Sequence, residues 1–137
     1  MPTLPTIPRR SEAGFTLIEL LIVVVIIGLL AVIAIPKFSN TKERAIVSQM
    51  RSDLRNMVTA QESYITDALT YYGGPIPDPA LAYGPSGNNI VTLSGVTNTG
   101  WAAVASTPSS SRTCAIFIGT AAPPAPATDE GLVACTP

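Results

Sequence analysis

The sequence contains no histidine, and only Cys114 and Cys135 supply thiols among its 137 residues. Without histidine it lacks the commonest general base and the commonest zinc ligand. The serines, grouped at Ser109-Ser110-Ser111, therefore lack their usual activating base, and that run reads as a turn. Charge is also scarce. Charged residues make up 12% of the chain, the formal net charge is −1, and no Lys/Arg cluster is interleaved with aromatics, so nucleic acid is not an expected partner. Asp129 and Glu130 offer too few of the roughly six to eight oxygens that calcium takes, and they read as a solvated pair. No enzyme activity, metal or cofactor is expected.

Apolar residues account for 47% of the chain, and they are concentrated: residues 20–35 carry no charge. The run FTLIELLIVVVIIGLLAVIAI, Phe15 to Ile35, would span about 31 Å as a helix, one bilayer crossing. Arg9 and Arg10 flank it on the amino-terminal side, so the positive-inside bias predicts an N-in, C-out topology. An ordinary secretory signal would have a shorter apolar core, about 7 to 15 residues, and an A-x-A-like cleavage site. Here the run is longer, and Ala31 and Ala34 are separated by two residues rather than one. The length leaves room for one small domain beyond the apolar segment. Two cysteines in such a domain fit a single disulfide in an oxidising compartment such as a periplasm, with a free pair as the alternative.

One acidic residue, Glu19, lies inside the apolar run, where a charge at mid-bilayer costs about 2.5–3.5 kcal/mol and less near an end. The stretch GFTLIELLIVVVIIGLLAVIAIPKF resembles the amino terminus of type IV prepilins and of type II secretion pseudopilins. The resemblance implies that a prepilin peptidase cuts between Gly14 and Phe15, that Phe15 becomes N-methylated, and that the apolar helix stays in the mature chain. Such a cut would place an ammonium one helical turn from Glu19. The resemblance further implies that Glu19 neutralises Phe15 of a neighbouring subunit; the alternative is that Glu19 caps its own helix. Gly28 and Pro36 weaken the helix between them, since glycine costs about 1 kcal/mol relative to alanine and proline removes the bond to the Val32 carbonyl. In the family this segment can lose helicity during assembly.

Beyond Pro36 the apolar pattern becomes periodic. Ile46, Met50, Leu54, Met57, Gln61, Tyr64 and Ala68 form one face of a helix reaching about Ala68. The other face is expected to carry Lys42, Arg44, Arg51, Asp53, Arg55, Glu62 and Asp67. Gly73-Gly74-Pro75 is expected to end the helix, followed by a long Pro/Gly-rich loop to Gly87. Four strands are predicted at Asn89–Leu93, Gly100–Ala105, Thr113–Ile118 and Leu132–Cys135, with Ala121–Thr128 as a loop too poor in core-forming residues to build an element. If the last two strands pair with residues 118 and 131 opposite each other, Ile116 meets Val133 and Cys114 meets Cys135. The resemblance supports that disulfide, because many pilins close a carboxy-terminal loop this way.

The expected fold is α+β and pilin-like: a long bent amino-terminal helix packed on a small four-stranded antiparallel sheet. Its segments are a leader over 1–14, a membrane-spanning or filament-core helix over 15–36, an amphipathic half over 37–69, and a loop with sheet over 70–137. The resemblance implies a homo-oligomeric helical filament, assembled from the inner membrane with a prepilin peptidase and an inner-membrane assembly platform as partners. A periplasmic pseudopilus and a signal-anchored periplasmic binding protein that never polymerises are the alternatives.

Overall fold

The computed structural model describes residues 14–137. The expected leader, with Arg9 and Arg10, lies outside the described residues. Five elements follow in order: α1 (Leu17–Ala68), β1 (Ile90–Ser94), β2 (Gly100–Thr107), β3 (Ser110–Gly119) and β4 (Ala134–Cys135). The chain divides between Ser39 and Asn40 into two units, and α1 contributes to both.

In the first unit α1 is built mainly of aliphatic residues that pack on nothing else among the described residues. Its large side chains from Leu17 to Ile35 are 49–85% exposed. The helix is long and apolar enough there to cross a membrane. It stays helical through Gly28 and Pro36.

In the second unit the remainder of α1 packs on an antiparallel sheet of order β1-β2-β3-β4, a meander as expected. Strand alternation brings Trp101, Ala103 and Ala105 of β2 opposite Ile118, Ile116 and Cys114 of β3, all on one face. That face shares a core with Met50, Leu54 and Met57, which recur at helical spacing and are fully buried. The β2–β3 pair closes on two glycines. Gly119 has φ 63°, and a Cβ there would strike the Thr99 carbonyl, while one on Gly100 would meet the Ile118 carbonyl at 2.5 Å. The indole Nε1 of Trp101 is buried without an acceptor among the described residues.

Several expectations are corrected. Asp53, placed by its charge on the outer face, is fully buried. It follows Met50 by three residues and precedes Met57 by four, so helix geometry puts it inward. Its carboxylate is satisfied there: Oδ1 accepts from the Ser86 backbone N–H at 3.1 Å and hydroxyl at 2.7 Å, and Oδ2 accepts from Asn89 Nδ2 at 2.7 Å. Tyr83 donates its hydroxyl to the Asp53 carbonyl at 3.0 Å. Gln61 makes a similar anchor, donating to the Tyr72 carbonyl and accepting from the Tyr72 N–H. These bonds tie the 69–89 loop to the helix, and Tyr72, Leu81 and Tyr83 of that loop enter the core.

The helix ends at Ala68, as expected, but its stop is Leu69 rather than the glycines: Leu69 takes the left-handed conformation at φ 57° and donates to Ile65. Ala68 is exposed rather than part of the inner stripe. Of the three serines, only Ser109 sits in the turn; Ser110 and Ser111 begin β3. The Ala121–Thr128 loop does contribute to the interior, through buried Ala121 and Ala127.

Replacing Asp53 with Ala strands the Ser86 N–H and the Asn89 amide, and should cost roughly 2–4 kcal/mol. Asp53→Asn keeps the size but sets amide donors against donors, and should also destabilise. Denaturant unfolding of the full chain in detergent, followed by circular dichroism, measures both. Burial first, and the Asp53 charge second, push the Tyr83 hydroxyl well above its ordinary value of 10. The unfolded chain gives up that proton near pH 10 while the folded chain keeps it. The stability that depends on neutral Tyr83 is thus complete below about pH 10 and lost as pH rises above it. Tyr83→Phe should flatten the fall of melting temperature between about pH 9 and 12. It should not abolish that fall, because desolvation also raises Tyr71 and Tyr72.

Candidate functional site

Gly14, Phe15 and Thr16 precede α1 without regular structure, and Gly14 and Phe15 are exposed. A peptide bond that a protease must bind in extended form is available there. A Cβ added at Gly14 would meet nothing within 4 Å. Packing among the described residues gives no reason for that glycine.

Thr16 and Glu19 form a reciprocal capping box, which the T-x-x-E spacing spells out. Glu19 Oε2 accepts from the Thr16 backbone N–H at 2.9 Å and from its hydroxyl at 2.6 Å, while the Glu19 N–H donates to Thr16 Oγ1 at 3.3 Å. Within the single chain, then, Glu19 holds the start of its own helix. This was the alternative to pairing with a neighbour. Pairing with an amine on Phe15 would require a cut at Gly14. Thr16 is the residue that sequence reasoning passed over.

Gly28 is also unexplained by intrachain packing, because a Cβ there too would meet nothing within 4 Å. The Pro36 site likewise lies in uninterrupted helix.

At the other end of the chain Cys114 and Cys135 are disulfide-bonded, facing each other directly in the β3–β4 register with Ala115 opposite Ala134. That is the expected register, carried by a shorter strand than expected. Residues 118 and 131 do not pair; Gly131 turns at φ 74° and donates to Phe117, and Leu132 and Val133 stay outside β4. Arg51 Nε lies 3.3 Å from Cys135 Sγ. Asp129 and Glu130 hold local bonds: Glu130 Oε1 accepts from the Gly119 N–H at 2.6 Å, and Asp129 accepts from the Thr128 hydroxyl.

Residues 9–35 match the model of the prokaryotic N-terminal methylation motif. The chain is 35% identical over 80 residues to the type II secretion system core protein G of Pseudomonas aeruginosa, covering 58% of this chain and 56% of that protein. It is 48% identical over 64 residues to the type IV major pilin protein PilA of Myxococcus xanthus, covering 47% of this chain and 28% of that one. The type IV major fimbrial protein FimA of Dichelobacter nodosus is 52% identical over 59 residues, with coverage of 43% and 38%. The match thus spans about half the length of the first relative and less than half of the other two. In this motif, and over about half of its length, the chain is similar to type IV pilins and to a type II secretion core protein, and its α+β architecture is pilin-like.

The disulfide closes a segment with a sequence separation of 21. Reducing it should lower the stability of the globular unit by roughly 3 kcal/mol. Thiol labelling of unreduced, denatured protein should leave both cysteines unmodified, and labelling of both would refute the bond.

Proposed function

We propose that the chain is the structural subunit of a bacterial type IV pilus-like filament and polymerises through the amino-terminal part of α1. One observation carries this reading: that part of the helix is apolar on every side, apart from the single carboxylate of Glu19 near its start, and is covered by none of the described residues. Before assembly a bilayer would bury this surface, with the chain single-pass, N-in and C-out in the inner membrane. In a filament the same helices of other copies would bury it. A prepilin peptidase removes residues 1–14, Phe15 is methylated, and an inner-membrane platform feeds the subunits into the filament. Glu19 then exchanges its bonds to Thr16 for the amine of Phe15 on a neighbour, which fixes the axial register where an unpaired carboxylate would be costly. Gly28 and Pro36 bound the part of the helix that can stretch as the subunit is incorporated.

A second reading, a pseudopilin driving type II secretion, is favoured by the 80-residue reach of the match to core protein G. A deletion strain separates the two, losing surface fibres and twitching in one case and accumulating periplasmic cargo in the other.

Intact-mass analysis of the mature protein should give a chain that begins at methylated Phe15 and keeps α1. A mature chain lacking residues 15–35 would sink the filament reading. Because Gly14 packs against none of the described residues, a bulky residue there should leave the fold intact and the precursor uncut. Glu19→Ala should insert into membranes at least as well as the unaltered chain, since a polar cost is removed, yet should assemble poorly. Normal filament yield at normal protein level would leave Glu19 with capping alone.

A further inference from the structure

Most of the exposed charge of the globular unit falls at its two ends, with exposed Arg55 between them. At one end α1 carries exposed Lys42, Arg44 and Arg51. Arg112 at the start of β3 joins them, held by Glu43 at 3.3 Å, so that Arg44, Arg51 and Arg112 line an open cleft with Val47 and Ser48. The Cys114–Cys135 disulfide lies at the same end, beside Arg51.

The other end is anionic. Exposed Glu62 and Asp67 close α1, and Glu62 accepts from the Tyr71 hydroxyl. The Tyr71 ring lies 6.4 Å from that of Trp101, which pairs with Ile118 next to Gly119. Gly119 is where Glu130 attaches, so Asp129 and Glu130 reach the same end as Glu62. Arg44 and Asp67 are about 35 Å apart along the helix, well beyond the roughly 8 Å screening length of physiological salt. The two ends therefore act as separate charged surfaces, not as partners within one copy.

Resting on the filament reading, we propose that these two ends dock on each other between copies: the Arg44/Arg51/Arg112 cleft of one subunit receives the carboxylates around Asp67 and Asp129 of the next subunit along the filament. The occupant is a second copy of this chain because the complement of the cleft is on the chain itself, at the end facing away from it. A contact between two different surfaces repeats without closing, which is the geometry of an open helical polymer. Opposite charges set which faces meet and in what orientation, while the apolar helices supply the bulk of the association. Glu19 and Phe15 fix the register in the filament core; this contact fixes it at the outer layer.

Charge reversal in the full-length chain tests the docking, with filament yield by shearing and electron microscopy as the readout. Filaments from the unaltered chain come first, and their absence would overturn the filament reading and this one with it. Arg44→Glu with Arg51→Glu places like charges together between copies and should cut yield at least about tenfold, as should Asp67→Lys with Asp129→Lys. All four residues are exposed, and thiol labelling of the disulfide reports whether each variant has folded. Combining all four reversals restores opposite charges at the contact, and should return the yield to within about threefold of the unaltered chain. Expressing the two double variants together should likewise restore filaments containing both. Unimpaired assembly by either double variant, while the unaltered chain polymerises, would overturn the docking and leave the filament reading standing. Loss of filaments in every variant, including the combined and mixed ones, would overturn it equally.

Discussion

The structure depends on one imbalance: an apolar helix surface that the chain itself cannot bury. Burying a large aliphatic side chain is worth about 1.5–3 kcal/mol, and the run from Leu17 to Ile35 offers so many that their sum exceeds the roughly 5–15 kcal/mol that holds a whole domain folded. A surface of that magnitude calls for burial that the described residues do not provide, and in the proposed reading lipid or other copies provide it. Both states suit the same helix, because apolar packing has no directional demand. Direction comes from the polar exceptions. Glu19 is one, held by Thr16 at the start of its own helix.

The globular unit faces the opposite problem, having little apolar surface to work with. A sheet this small, with alanine at positions 102, 103, 105 and 115, makes a thin core, and small domains of this kind need cross-links. Three are present. The disulfide fixes a last strand of only two residues, Asp53 anchors Ser86 and Asn89, and Gln61 anchors Tyr72. The latter two turn a Pro/Gly-rich loop, which alone would be mobile, into part of the core through Tyr72, Leu81 and Tyr83. Arg51 lies beside Cys135 at the end of the sheet where Arg112 meets Glu43, so the disulfide and the cationic surface are built on the same residues of α1 and β3.

Much of this was legible in the sequence where a pattern repeats. An uninterrupted apolar run, a helical period through Met50, Leu54 and Met57, and alternation between turn signals each reflect local geometry, and they located α1, the four strands and the cysteine register. The GFTLIE stretch marked Gly14, Phe15 and Glu19, and the match over residues 9–35 covers the same residues. What the tertiary structure decided is what happens to polar groups. Asp53 reads as a surface charge because carboxylates are usually solvated. It is buried because Ser86 and Asn89, more than thirty residues away, arrive to satisfy it, and no local pattern announces partners at that distance. The short β4 was not legible either, since pairing with β3 is confined to Cys135 and Ala134. The two charged ends arise likewise: Arg112 and Glu130 are distant from the helix in sequence, and only the folding of β3 and the last loop brings each to the end of α1 whose charge it shares.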